Sequence, residues 1–145
     1  MHLEARPIKL LFAGVAALTL ATTAASADTL SYKADLAASQ EVPPVSGGGT
    51  GHADLTYDTG SKKLSWKVTF SGLTGPATAA HFHGPAEAGK NAGVAVPIPG
   101  TASPLEGSAT LTDAQAADLK AGKWYVNVHT ATNKGGEIRG QVLKK

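Results

Sequence analysis

The chain of 145 residues contains no cysteine, and its only methionine is Met1. The absence of cysteine excludes disulfides, thiol nucleophiles, cysteine-ligated zinc, iron–sulfur clusters and a blue-copper centre, whose strong ligand is a thiolate. A thioether ligand for copper is excluded in the same way. Histidine is therefore left as the principal candidate ligand, and the fold has to be stable on its hydrophobic core alone.

The sequence also lacks the common catalytic motifs. It has no GxSxG elbow, no P-loop and no GxGxxG, and neither Ser46 nor Ser108 has an adjacent base. Asp35, Asp54 and Asp58 lie at outward or turn positions, so no pair of glycosidase carboxylates can be assigned. We therefore assign no catalytic residue and expect a binding protein rather than an enzyme.

The N-terminal segment has the features of a secretion signal. Two basic residues precede an apolar run over residues 10–20, and Ala25-Ser26-Ala27 fits a signal-peptidase site. The run is shorter than the roughly 20 residues of a membrane-spanning helix, although a retained membrane anchor is the alternative. We predict a signal peptide over residues 1–27 and a periplasmic or secreted protein without a membrane span in its mature form.

The predicted mature chain, residues 28–145, is long enough for one domain of ordinary size and too short for two. Across the whole sequence 13 basic residues stand against 11 acidic ones. Removal of Arg6, Lys9 and Glu4 with the signal peptide brings the two sets within one charge of each other. We expect a single domain and no nucleic-acid partner.

Alternation of apolar and polar residues dominates the mature chain and is typical of half-buried strands. Leu64, Trp66, Val68 and Phe70 alternate with polar residues, and Trp66 and Trp124 are expected to fill the core from different strands. The pattern predicts strands over residues 30–38, 53–57, 64–70, 79–83, 94–96, 107–111, 124–130 and 136–143.

One segment, residues 112–121, is predicted to be a helix. Thr112 and Gln115 have the spacing of a capping box, and Gly122 follows as a C-terminal cap. Prolines and glycines mark long loops at residues 41–49 and 86–104. Seven to eight short strands with one short helix predict an all-β fold, a Greek-key β-sandwich or barrel.

Three histidines lie on predicted strands, opposite the apolar side chains, and are therefore expected on the surface. His81 and His83 are separated only by Phe82, so their side chains leave the same face, with Cα atoms about 6.6 Å apart. In the strand over residues 124–130 the tryptophan and the valines form the apolar face, which leaves His129 on the other face. Imidazoles at this spacing can share a metal through bonds of about 2 Å. We predict His81, His83 and His129 as metal ligands, and a water or a nearby side chain as the remaining ligand.

The last predicted strand carries further polar residues. If it pairs antiparallel with the strand before it, His129 falls near Glu137 and Asn127 falls near Arg139. We predict that Asn127, Glu137 and Arg139 surround the metal ligands. The simpler interpretation of Glu137 and Arg139 is a surface ion pair.

Structural interpretations of the histidines remain open at this stage. A strand can carry surface histidines without chemical purpose, and His83-Gly84-Pro85 can serve only to build a turn. His52 faces away from its apolar neighbours, and we interpret it as a solvated residue rather than a ligand.

Five blocks of the sequence span essentially the whole mature chain. The blocks are Glu41-Val42-Pro43-Pro44, Gly72-Leu73, His81-Phe82-His83-Gly84-Pro85, Tyr125-Val126-Asn127-Val128-His129-Thr130 and Gly136-Glu137-Ile138-Arg139-Gly140-Gln141. Together they resemble the chordin-domain (CHRD) family. The family includes exported bacterial proteins of undefined activity and segments of the animal developmental protein chordin. The resemblance therefore implies a β module and leaves its function open.

A second resemblance is to copper/zinc superoxide dismutase, a Greek-key β-sandwich with an HxH pair on one strand and a later Val-His strand. It implies that His81, His83 and His129 match copper ligands and that Arg139 matches the arginine that guides the anionic substrate. No histidine lies between His83 and His129, so the bridging ligand and the rest of the zinc site are missing. The disulfide cysteines are missing as well.

Three functions follow from these patterns. The first is an exported protein that binds a metal for handling or buffering, with copper favoured over zinc. The second is a non-catalytic adhesion or interaction module that presents its long loops to an extracytoplasmic protein or polysaccharide. The third is a dismutase-like copper oxidoreductase, for which the sequence shows no proton-delivery group.

Overall fold

The computed structural model describes residues 26–145. The elements are β1 (Thr29–Ala37), a 3-10 turn (Ala38–Gln40), β2 (Thr50–Asp58), β3 (Lys63–Ser71), β4 (Ala77–His83), β5 (Val94–Ile98), β6 (Leu105–Thr110), α1 (Asp113–Lys120), β7 (Trp124–Thr130) and β8 (Ile138–Lys144). The predicted signal peptide, and the alternative of a membrane anchor, lie outside the described residues except for Ser26 and Ala27. Within the described part of the chain, no helix is long and apolar enough to cross a membrane.

The eight strands form one antiparallel sheet in the order β5-β4-β7-β8-β1-β2-β3-β6. Consecutive strands are mostly neighbours, but the connections from β3 to β4 and from β6 to β7 pass over other strands, as in a Greek key. The edge strands β5 and β6 are joined by residues 99–104 only, so the sheet curls into a nearly closed barrel. The predicted all-β fold with one short helix is confirmed.

The core lies inside this barrel and is centred on three aromatic side chains. The ring of Phe82 lies 5.3 Å from that of Trp66 and 5.8 Å from that of Trp124, measured between centroids. Trp124 is fully buried, and Trp66 is nearly so. The prediction that the two tryptophans fill the core from different strands is confirmed.

The helix α1 begins and ends as its caps predict. The Thr112 hydroxyl accepts a hydrogen bond from the Gln115 backbone, and the Gln115 side chain accepts one from the Thr112 backbone. Gly122 follows the helix with a φ of 72°. The Gln115 side chain also donates to the Ala95 carbonyl in β5. Because α1 directly follows β6, this bond links the two edge strands.

Several strands start or end away from the predicted positions. β2 begins at Thr50 and β4 at Ala77, which is earlier than predicted. The additional residues include glycine and alanine, which form strand hydrogen bonds but add little to the alternation of apolar and polar side chains. β8 begins only at Ile138, because the residues before it form a loop. The second predicted long loop, residues 86–104, is divided by β5.

Candidate metal centre

The three predicted histidines come together on the face of β4 and β7 that lies opposite the core, here called the polar face. In the register of these strands, His81 is opposite Asn127 and Ala79 is opposite His129. His81 Nδ1 lies 3.1 Å from His129 Nε2. One ring nitrogen of each histidine, including His83, lies within 4.8 Å of the other two.

The polar face is not an open surface, because loops cover it. The β4–β5 loop (residues 84–93) and the β7–β8 loop (residues 131–137) fold over it. His83 is only 9% exposed and Asn127 only 2%, whereas His81 and His129 are half-buried. The prediction that all three histidines lie on the surface is therefore wrong for His83. Alternation identifies the face that points away from the core, but it carries no information about a second layer above that face.

Backbone carbonyls hold two of the histidine rings. His83 Nδ1 lies 3.0 Å from the carbonyl oxygen of Ala92, and His129 Nδ1 lies 2.7 Å from that of Lys134. Since a carbonyl oxygen only accepts hydrogen bonds, Nδ1 of each ring carries the hydrogen. In the neutral rings Nε2 then carries the lone pair. Metal-binding histidines are commonly oriented in this way.

Asn127 lies between the two rings that the loops hold. Its Oδ1 is 3.0 Å from His83 Nε2 and 3.0 Å from His129 Nε2. Its Nδ2 donates to the carbonyl oxygen of Gly135 at 3.4 Å. Of the three residues predicted to surround the ligands, Asn127 is the one that directly contacts them.

Burial shifts the protonation of two histidines toward the neutral form. It lowers the pKa of His81, and the neighbouring His129 and His83 rings lower it further. Burial also lowers the pKa of His83, although the hydrogen bonds to Ala92 and Asn127 act in the opposite direction. At pH 7 both rings are therefore mainly neutral, which is the form that binds metals.

Tyr125 forms a stack with His83 on one side and Arg139 on the other. The Tyr125 and His83 rings are parallel to within 2°, with centroids 4.7 Å apart. The Arg139 guanidinium carbon lies 3.4 Å from the centroid of the Tyr125 ring. The Tyr125 hydroxyl also donates to the carbonyl of Ala92, which is the partner of His83. Apart from its position on the polar face, Tyr125 had no signal in the sequence that marked it as a site residue.

Arg139 holds the β4–β5 loop and does not contact a histidine directly. Its Nη1 donates to Asn91 Oδ1 at 2.8 Å, and its Nη2 donates to the carbonyl of Lys90. It is 2% exposed. The interpretation as part of a surface ion pair is therefore wrong. The register between β7 and β8 is nevertheless as predicted, since Arg139 is paired with Asn127.

Glu137, the last residue of the β7–β8 loop, anchors that loop in a similar way. Its carboxylate accepts hydrogen bonds from the backbone and hydroxyl of Thr74, from the hydroxyl of Thr130 and from the amide of Asn133. Burial alone would raise the pKa of Glu137, but these bonds outweigh it and lower the pKa to about 2. Among the described residues Glu137 forms no ion pair with Arg139 and is 1% exposed, so the interpretation as a surface ion pair is wrong for Glu137 as well. Glu137 also forms no hydrogen bond with the three histidines.

The family model described as CHRD domain matches residues 32–142, from β1 to β8. The chain belongs to the CHRD-domain family. A comparison with curated proteins and with solved structures found no match. The resemblance to copper/zinc superoxide dismutase therefore rests on the order of the histidines alone.

In this CHRD domain, the first sequence block supplies a buried acid that we did not predict as a site residue. Glu41 is 5% exposed, and its Oε1 has no hydrogen-bond partner among the described residues. Burial raises the pKa of Glu41 to about 7, although the positive charge of Arg139 and the amide of Asn127 act against this shift. An acidic residue directly before Val-Pro-Pro was the only signal in the sequence.

His52 lies outside the histidine cluster of the CHRD domain. Its Nδ1 is 2.7 Å from Asp35 Oδ1, and its Nε2 is 3.4 Å from Asp54 Oδ1. Its side chain is 42% exposed. The interpretation of His52 as a solvated residue, with Asp35 and Asp54 facing outward, agrees with this position.

Proposed function

We propose that this CHRD-domain protein binds a metal ion through His81, His83 and His129, and that it does so outside the cytoplasm in metal handling or buffering. The orientation of the rings carries the proposal. The carbonyls of Ala92 and Lys134 occupy Nδ1 of His83 and His129. The Nε2 lone pairs are therefore available on the side where the three rings meet.

Copper(II) is the metal that this ligand set favours. Two nitrogen ligands with bonds of about 2.0 to 2.1 Å to one metal lie about 3 Å apart, and His81 Nδ1 and His129 Nε2 are 3.1 Å apart. Imidazole suits both copper and zinc, but among divalent ions the order of affinities places copper above zinc. The proposed location outside the cytoplasm is supported by the signal-like residues 1–27.

The two other functions have less support from the contacts. The β4–β5 loop bonds inward to Arg139 and His83 rather than standing free for a partner. Arg139 is buried against Tyr125, so it is poorly placed to guide an anionic substrate as the dismutase resemblance implies. Of the three functions, metal binding without catalysis therefore has the most support from the contacts.

Titration of Cu(II) and Zn(II) into the wild type and three single variants, His81→Ala, His83→Ala and His129→Ala, tests the proposal. We expect one Cu(II) per chain, bound more tightly than Zn(II), and a loss of affinity of about 100-fold or more in each variant. The d–d absorption and the electron paramagnetic resonance spectrum report binding. Affinity should fall as the pH drops below the histidine pKa, because only neutral imidazole binds.

His52→Ala is the matched control, because it removes an imidazole from the same sheet without touching the cluster. It should leave the copper affinity unchanged. Equal, small effects of all four substitutions would contradict a shared site. In that case the adhesion or interaction module would take its place.

A further inference from the structure

We infer that Asn127 Oδ1 is the fourth ligand of the metal, so that the protein itself closes the coordination shell. The inference rests on the metal site proposed above and adds to it. Metal sites with four protein ligands hold the ion, whereas catalytic sites keep one position open for water or substrate. A closed shell would therefore assign this CHRD domain to holding and transferring copper rather than to chemistry at the copper.

Three atoms that only accept hydrogen bonds meet at this point. They are Asn127 Oδ1 and the Nε2 atoms of His83 and His129, whose ring hydrogens are on Nδ1, with both contacts to Oδ1 at 3.0 Å. In the metal-free protein a hydrogen on His81 Nδ1 is donated to His129 Nε2, 3.1 Å away. It moves to His81 Nε2 when Nδ1 binds the metal. The contact between His83 and Asn127 is then left with two lone pairs and no hydrogen. A cation between these atoms turns the repulsion into coordination.

The contact with the Gly135 carbonyl fixes the orientation of the Asn127 side-chain amide. A half-turn would direct its hydrogens to the two histidines, but it would place the oxygen at the position of Nδ2, which is 3.4 Å from the carbonyl oxygen of Gly135. The amide oxygen would then face the Gly135 carbonyl oxygen without a hydrogen between them.

The position of Asn127 in the sheet also suits a metal ligand. It lies in the middle of β7, where it is paired with His81 in β4 and with Arg139 in β8. It is 2% exposed. The backbone of Asn127 is therefore fixed on both sides, and its side chain is shielded from solvent.

The test uses the copper-loaded wild type, Asn127→Ala and Asn127→Asp. We expect that azide leaves the wild-type absorption spectrum unchanged and that the protein enhances water-proton relaxation only weakly, because no water is bound to copper. In Asn127→Ala we expect copper to bind about 10-fold more weakly. That variant should also gain an azide band and a stronger relaxation effect. Asn127→Asp keeps an oxygen ligand and should retain both the affinity and the closed shell.

The outcomes separate the two proposals. An azide band in the wild type, or Asn127→Ala with unchanged affinity and no gain of azide binding, would overturn the role of Asn127 while the three-histidine site stands. Absence of stoichiometric copper binding in the wild type would overturn both. If Asn127→Ala does not fold, the wild-type azide and relaxation measurements decide the question on their own.

Discussion

At the scale of single residues, Glu41 is a buried acid beside the positive charge of Arg139. Its Oε1 is buried without a hydrogen-bond partner among the described residues, and burial raises its pKa to about 7 from an ordinary value of 4.5. Between these two pH values the folded state binds a proton that the unfolded state has released. The free energy of unfolding therefore falls as the pH rises through this window.

Replacement of Glu41 by Gln should remove this penalty. We expect the metal-free variant to be more stable than the wild type at pH 8, by on the order of 1 to 3 kcal/mol, and to lose this advantage at pH 4, where Glu41 is protonated. Thermal unfolding followed by circular dichroism at pH 4, 6 and 8 measures it. Glu106→Gln, at an exposed position of β6, makes the same change of charge as a control. Parallel stability curves for Glu41→Gln and the wild type would refute the role of Glu41.

At the scale of elements, two buried charges each hold one loop over the polar face. Arg139 holds the β4–β5 loop, which supplies the carbonyl that orients His83. Glu137 holds the β7–β8 loop, which supplies the carbonyl that orients His129. Residues 137 and 139 therefore act on the histidines through the loops rather than by contact.

A mutation that loosens one of the two loops should leave the other loop and its histidine unchanged. Glu137→Gln replaces an acceptor by an amide that meets the donors of Thr74, so the β7–β8 loop should loosen and the copper affinity should fall by about 10-fold. Nitrogen-15 shifts of the imidazoles in the metal-free protein should show a change in the tautomer of His129 but not of His83. Arg139→Lys should have the reverse effect. If either variant disturbed both rings equally, the loops would not act independently.

At the scale of the whole molecule, the barrel depends on its hydrophobic core, because the chain has no cysteine and no disulfide can reinforce it. Trp124 is fully buried beside Phe82, and Trp124→Ala should cost about 3 to 5 kcal/mol. That is a large part of the roughly 5 to 15 kcal/mol that stabilises a typical domain. Denaturant unfolding measures the loss, and Leu143→Ala, at a residue that is 52% exposed, is the control. An unchanged midpoint for Trp124→Ala would contradict the core position.

The amount that could be predicted differs between the fold and the site. Strand alternation correctly separated His81 and His83 from Phe82, because side-chain direction along a strand depends only on neighbouring residues. The capping box of α1 is local in the same way. The pairing of β4 with β7 joins residues more than 40 positions apart in the chain, and no local pattern encodes it.

The sequence by itself determined the approximate positions of the strands, the faces on which the histidines lie, the helix α1 and membership of the CHRD-domain family. Only the tertiary structure decided that His83 is buried, that Asn127 lies between two imidazoles and that Glu137 and Arg139 hold loops instead of pairing with each other. The physical reason is that burial and hydrogen bonding on the polar face depend on which loops fold over it. Those loops are built from proline, glycine and polar residues, whose long-range contacts have no periodic signature.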